Sequence, residues 1–182
     1  MTLARDIALV DELRALQNET PWLEFKYNNA DPEMIGKRCS ALSNSARTEG
    51  RDCAYMVWGI EDGSHRVVGT SFQPDAVKMG GQVLQLWLAK MLQPSLAFNF
   101  RSVEHPDGMV VVLEIPAAPG APVSFQGVPY IRIGSATPKL TDYPERYQKL
   151  IELLRPYRWE HERPGHDERI CSSVFKFISR TG

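Results

Sequence analysis

Long apolar runs are missing from this chain: none approaches the ~18 residues that a membrane-spanning helix needs. The first sixteen residues carry Asp6, Asp11 and Glu12, charges foreign to a secretory leader, so a cytoplasmic protein without membrane contact is expected. Cysteine is scarce, with Cys39, Cys53 and Cys171 far apart and no C-x-x-C pair. That spacing argues against both a disulfide framework and a thiolate zinc site, and the expectation is buried thiols. Charge of one sign is lacking too. Lys and Arg number 21 against 22 Asp and Glu, a net charge of −1, so no global field draws in nucleic acid and any such binding needs a local basic patch.

Several motifs are also missing. There is no G-x-G-x-x-G, and Gly36-Lys37 is followed by Arg38 instead of the Ser or Thr of a phosphate-binding loop, so no nucleotide cofactor is expected. His161 and His166 are five residues apart, with Pro164-Gly165 between them, which takes them off one helical face and argues against a zinc helix. No serine sits in a G-x-S-x-G elbow.

What remains is a chain of 182 residues, 43% hydrophobic and 24% charged, which excludes disorder and fits one globular domain, or one with an appendage. Leu3, Ile7, Val10, Leu13 and Leu16 predict a helix over 3–17, with Thr2 as its cap. Residues 22–27 alternate as a strand exposed on one face, with Leu23, Phe25 and Tyr27 on one side and Glu24 and Lys26 on the other. Asp31-Pro32 starts a helix that runs to about Ser45. The apolar run 53–60 reads as a central strand buried on both faces, and Asp62-Gly63-Ser64 as a turn into a short strand over 66–69. Asp75 is expected to cap a helix over 76–92, with Gly80-Gly81 loosening its start. His105-Pro106-Asp107-Gly108 joins a hairpin of strands over 98–103 and 109–115. Residues 116–122 form a loop, two short strands follow at 123–125 and 129–133, and helices follow over 144–157 and 168–178. The order of elements predicts an α+β or mixed α/β domain with one main mixed sheet flanked by helices.

Three carboxylates stand out: Glu19, Glu24 and Asp62. If strands 22–27 and 53–60 are neighbours, these acids converge at one sheet edge, with Lys26 on the face of Glu24. Such oxygen ligands suit Mg²⁺ or Mn²⁺, which activate water and neutralise charge on a phosphodiester being cut, while a nearby Lys orients the water or holds a phosphate oxygen. The same residues also read as solvated strand charge and an ordinary turn, which is what each pattern usually means.

From Glu19 to about Pro144 the chain resembles the Schlafen AlbA-like domain family. The landmarks are Glu19-Thr-Pro-Trp-Leu-Glu24-Phe-Lys26, Ile35-Gly36-Lys37-Arg-Cys-Ser40-Ala41-Leu42-Ser43-Asn44-Ser45, Val57-Trp58-Gly59-Ile60-Glu61-Asp62, Val68-Gly69-Thr70, Ile115-Pro116, Ala121-Pro122-Val123 and Tyr130-Ile131-Arg132-Ile133-Gly134-Ser135. The resemblance implies a mixed α/β domain associated with nucleic acid, of the kind found in bacterial transcriptional regulators and RNA-binding proteins. In vertebrate relatives an acidic triad in a paired form of the domain cuts structured RNA with a divalent metal, and Glu19, Glu24 and Asp62 match that triad. The single copy here makes a homodimer the expected counterpart of the pair. Many relatives carry Ala-Asn-x-x-Gly-Gly after the second helix; this chain has Ser43-Asn44-Ser45 and a longer stretch without the double Gly. The implied division is an N-terminal helix over 1–18, the family domain over 19–143 and a helical appendage over 144–182, as an N-terminal domain or a short member.

Within that frame local positive charge is available at Lys26, Lys37, Arg38, Arg47, Arg51, Arg132 and Lys139, and the expected phosphate contacts are Lys26, Lys37, Arg47 and Arg51, the last two in the long loop. Arg132 shares a strand face with Tyr130, so this pair either grips phosphate and stacks on a base or packs in the core with Arg132 bound to a carboxylate. Nucleic-acid binding is the favoured function. Metal-dependent cleavage by Glu19, Glu24, Asp62 and Lys26 is the first alternative, and a non-catalytic oligomerisation or regulatory module the second.

Overall fold

The computed structural model describes residues 3–16 and 20–155. Its elements, in chain order, are α1 (Leu3–Arg14), β1 (Leu23–Lys26), α2 (Pro32–Thr48), β2 (Cys53–Trp58), the two-residue strands β3 (Lys78–Met79) and β4 (Gln82–Val83), α3 (Leu84–Met91), β5 (Leu92–Gln93), the long pair β6 (Asn99–His105) and β7 (Gly108–Pro116), then β8 (Ser124–Phe125), β9 (Val128–Pro129) and α4 (Pro144–Leu154). Among the described residues, no helix is long and apolar enough to cross a membrane.

The main sheet has the order β1-β2-β7-β6. β1 lies parallel to β2, with Glu24 opposite Met56, while β2 and β6 each run antiparallel to β7. It is therefore a mixed α/β domain built on one main mixed sheet, beside the β3-β4 pair and a small sheet of order β5-β8-β9. Parallel neighbours need a crossover connection, and α2 supplies it. All six residues of β2 are buried, as its continuous apolar run requires of a strand covered on both sides. At the far edge α1 turns Val10 and Leu13 into the core and is tied to β6 by Asp6–Arg101 (3.6 Å) and Asp11–His105 (3.3 Å). The expected cap Thr2 lies outside the described residues.

α2 begins as its sequence dictates. Asp31 caps it by accepting the Met34 N–H at 2.8 Å, with Pro32 in the first turn. The helix continues to Thr48, beyond the expected Ser45. Ala46 is fully buried, the Thr48 hydroxyl donates back to the Ser45 carbonyl (2.9 Å), and termination waits for Gly50 at φ +64°, where the Arg51 N–H returns to the Ala46 carbonyl (2.8 Å). A glycine in the left-handed region is the common way to end a helix. Arg47 is consequently a helix residue and not a loop residue. On the core side, burial pushes the Cys39 thiol up to about 12, so it stays protonated.

The helix expected over 76–92 is the main departure. Pro74–Ala76 is a single 3₁₀ turn, β3 and β4 form a hairpin, and only Leu84–Met91 is α-helical. Gly80 and Gly81 sit at φ +55° and +79°, and adjacent glycines with positive φ make a tight two-residue hairpin turn. The strand expected over 66–69 reduces to one bridge, Ile60–Val67, and that over 129–133 to β9 with bridges at Tyr130–Lys139 and Ile133–Ala136. The hairpin of β6 and β7 forms as expected. α4 ends at Leu154 and buries Leu150 and Leu154. The helix expected over 168–178, with His161 and His166, lies outside the described residues.

Gly36 of α2 faces the ring of Phe125, which is itself buried and packs edge-on against Trp87 at 5.7 Å. A Cβ there would run into the ring. Alanine gains about 1 kcal/mol in helix propensity over glycine, whereas overpacking costs about 1–3 kcal/mol. Gly36→Ala is therefore expected to destabilise the domain by up to about 2 kcal/mol, read as a lower midpoint in urea unfolding. An unchanged or higher midpoint would show that Phe125 moves aside freely.

Candidate functional site

Glu24 sits on the face of β1 that α2 covers. The strand was expected to be exposed there, but the crossover helix lies over that face and Glu24 is only 6% exposed. A buried carboxylate must be paired and hydrogen-bonded to keep its charge, and this one has three cations. Lys26 Nζ is 2.6 Å from Oε1, and Arg132 Nη2 and Arg38 Nη1 are 2.6 and 3.1 Å from Oε2. The Ser135 carbonyl accepts from both guanidinium groups, at 2.7 Å from Arg132 and 3.3 Å from Arg38.

These charges come from distant parts of the chain, and α2 brings them together. Ser40 donates to the Val123 carbonyl (2.7 Å) and accepts the Tyr130 N–H (2.9 Å). Asn44 donates to the carbonyls of Val123 and Tyr130 and accepts the Val123 N–H, each at 2.8 Å. Ser45 accepts the Arg132 N–H at 3.1 Å. The segment from Val123 to Arg132 is thereby fixed to one side of α2, and the Arg132 side chain, 3% exposed, is directed onto Glu24.

Thr20, Glu24, Lys26, Arg38, Asp62, His65, Arg132 and Ser135, together with Leu23 and Phe25, line an open cavity of about 160 Å³. His65 has a positive φ of +55°, its Nδ1 lies 3.2 Å from the Arg14 carbonyl, and its ring packs on Phe25 at 4.8 Å. The contact with a carbonyl assigns the proton to Nδ1 and leaves Nε2 as an acceptor in the neutral ring.

Of the residues singled out from the sequence, Glu24, Lys26, Asp62 and Arg132 meet at this cavity, Asp62 as an exposed residue. Glu19 lies outside the described residues. Lys37 is exposed on α2 and does not line the cavity. Arg47 donates Nε to the Ala118 carbonyl at 2.7 Å. Arg51 lies over the Trp22 ring at 4.5 Å, before the first residue of β2, whereas Asp62 follows the last. Arg47 and Arg51 therefore belong to other surroundings than Glu24. Arg132 pairs with the Glu24 carboxylate, and half-buried Tyr130 packs against the core. Arg38, counted in the sequence only among the local positive charges, joins the site, and His65, Thr20 and Ser135 complete it without having been selected for it. Arg38 had one usable signal, since it lies in the helix that must cross between β1 and β2.

The donor set bears on the expected Mg²⁺ or Mn²⁺. Both Glu24 oxygens already contact cations at 2.6–3.1 Å, and a divalent ion beside them would meet three positive side chains. Asp62 is the other described carboxylate lining the cavity. The described residues as arranged do not fit a metal centred on Glu24.

Breaking a buried ion pair leaves the partner's charge uncompensated, which costs about 3–5 kcal/mol. Lys26 and Arg38 stay with Glu24 when Arg132 is removed, so Arg132→Ala is expected at the lower end, about 3 kcal/mol. Arg132→Lys is expected to recover only part, because Lys cannot reach Glu24 and Ser135 with one planar fork. Chemical denaturation of the two variants checks both. A loss below about 1 kcal/mol for Arg132→Ala, the value of a surface pair, would contradict the buried arrangement.

No curated protein matches the chain. Among solved structures it is similar to the crystal structure of the DIP2311 protein from Corynebacterium diphtheriae, with 14% identity, a TM-score of 0.46, and coverage of 73% of this chain and 26% of that one. It therefore spans about a quarter of that protein's length. It is also similar to the solution NMR structure of the N-terminal domain of an ATP-dependent DNA helicase RecG-related protein from Nitrosomonas europaea, with 25% identity, a TM-score of 0.46, and coverage of 75% of this chain and 92% of that one. Residues 19–141 match the family described as Schlafen, AlbA_2. With well over half of its length inside that match, the chain belongs to the Schlafen AlbA_2 family.

Proposed function

We propose that this chain is a nucleic-acid-binding domain that engages the sugar–phosphate backbone at the Glu24 cavity. The observation that carries the proposal is the local charge. Three cations, Lys26, Arg38 and Arg132, converge on one carboxylate in an open recess, so positive charge is left over where a phosphate could reach it. Phosphate contacts supply most of the sequence-independent affinity of such proteins. Membership of the Schlafen AlbA_2 family agrees with this reading. An overall charge of −1 does not oppose it, because charges beyond the ~8 Å Debye length of physiological salt are largely screened.

Arg47 and Arg51 stand away from the cavity, Arg47 donating Nε to the Ala118 carbonyl and Arg51 lying over the Trp22 ring, while Lys26 and Arg38 line it.

End-labelled transfer RNA, single-stranded RNA and DNA, and duplex DNA would be titrated in EDTA over a range of salt. Binding is expected to weaken steeply with salt, and Lys26→Gln and Arg38→Gln are each expected to flatten the log–log slope by about one. Arg51→Gln is expected to leave the slope unchanged. Absence of any complex at low salt would overturn the proposal. The same gels run with Mg²⁺ or Mn²⁺ test cleavage: shortened product that needs metal and vanishes in Glu24→Gln would make the domain a nuclease and displace a purely binding role.

A further inference from the structure

We infer that the Glu24 cavity is a socket for a single phosphate group, filled without a metal ion, in which Glu24 positions the cations and does not itself meet the ligand. The inference concerns the same cavity as the nucleic-acid reading and deepens it by naming the group held there.

Charge is the first support. Among the described residues lining the cavity, Lys26, Arg38 and Arg132 face two carboxylates, buried Glu24 and exposed Asp62. Glu24 offsets one positive charge of the three, and Asp62 stands at the solvent side, where screening weakens it. Buried charge left in excess is costly unless a counter-charge completes it, and a phosphate supplies that.

Unfilled donors are the second support. Arg132 is 97% buried by its 3% exposure, yet its Nε has no hydrogen-bond partner, and neither has the buried hydroxyl of Thr20. Both residues line the cavity. Buried polar groups are nearly always satisfied, and exceptions call for an explanation such as a missing ligand. Arg38 uses Nη1 for Glu24 and Ser135, which leaves Nε and Nη2. Lys26 uses one contact, to Glu24 Oε1, which leaves two protons. The planar guanidinium fork can pair with two oxygens of a phosphate, and an ammonium serves as a point charge beside it.

The chemistry opposes a divalent cation for the same reasons. A metal ion would enter among three positive side chains, and its ligand Glu24 would have to release Lys26. Glu24 is thus a positioning residue: it holds Lys26, Arg38 and Arg132 in a fan on one carboxylate.

The sign of one substitution separates the two chemistries. Asp62→Asn removes negative charge from the rim, which favours an anion and disfavours a cation. Inorganic phosphate would be titrated into the 182-residue protein in EDTA at low ionic strength, followed by calorimetry and ³¹P line width. Saturable one-to-one binding is expected, weakened about tenfold by Arg38→Gln or Lys26→Gln and tightened a few-fold by Asp62→Asn, with circular dichroism confirming that each variant is folded. No saturable binding, or binding indifferent to both Arg38→Gln and Lys26→Gln, would overturn the inference. So would a Mn²⁺ site, counted by electron paramagnetic resonance, that Asp62→Asn abolishes. Oligonucleotides with a 5′-phosphate or a 5′-hydroxyl then name the source: tighter binding of the phosphorylated form assigns a strand end, and equal binding that Arg38→Gln weakens assigns an internal backbone phosphate. Oligonucleotide binding without phosphate binding would sink the socket and leave the nucleic-acid reading standing. Phosphate binding without oligonucleotide binding would do the reverse.

Discussion

Ser40, Asn44 and Ser45 of α2 hold a stretch of chain that has little regular structure of its own. Between Val123 and Arg132 only two strands of two residues form, too few ladder bonds to fix a path. The helix supplies what is missing through six side-chain hydrogen bonds to that backbone, at 2.7–3.1 Å. All three side chains are buried, so each bond forms where water cannot compete and a lost partner would leave an unsatisfied group. This attachment sets where Arg132 stands, and the position of Arg132 decides what surrounds Glu24. Ser43 extends the same device by donating to the Pro116 carbonyl at 2.7 Å, which pins the start of the loop after β7.

A second constraint comes from topology. Because β1 and β2 are parallel, the chain must cross the sheet between them, and α2 does so over the side of β1 that carries Glu24. A polar residue placed there by strand alternation is buried by the helix, whatever its side chain prefers. Burial of the carboxylate then demands partners, and the helix itself brings one, Arg38, while β1 brings Lys26 two residues on. The third arrives from Arg132, more than a hundred residues later. Sheet topology, helix polarity and charge pairing are therefore one arrangement, in which altering the path of residues 123–132 would leave the Glu24 environment with fewer cations.

Local signals in the sequence are legible wherever the physics is local. Asp31-Pro32 sets the start of α2 through a cap that needs only residues 31 to 34, the apolar run from Cys53 sets β2, and His105 to Gly108 closes β6 onto β7. The double glycine at 80–81 was equally local but was outweighed by the apolar spacing of Val83, Leu84, Trp87, Leu88 and Met91, which describes only the helical half of that segment. The site is harder to read. Spacing places Glu24 and Lys26 on one face and Asp62 near the end of the neighbouring strand, and all three do line one cavity. Spacing does not say what covers that face. The pairing of Arg132 with Glu24 and the approach of Arg38 depend on contacts across 108 and 14 positions of chain, and no periodicity encodes them. Arg47 illustrates the converse: in the sequence it reads as a loop charge, and the folded chain carries it on the last turn of α2.

The acid and its basic neighbour on β1 are thus ambiguous as a pattern and specific as a structure. A carboxylate flanked by water can take a metal; a carboxylate held by an ammonium and two guanidinium groups has its charge committed. At 2.6–3.1 Å those contacts are stronger than the same pairs at a wet surface, since the effective dielectric falls with burial. The cluster as a whole keeps positive charge, and it keeps it in a recess, where low-dielectric walls focus the field outward. An acidic chain can in this way present a positive point without a basic surface. Selectivity then comes from shape as much as charge, because a ligand must bring its negative group into a cavity of about 160 Å³ to meet the donors that Glu24 holds in place.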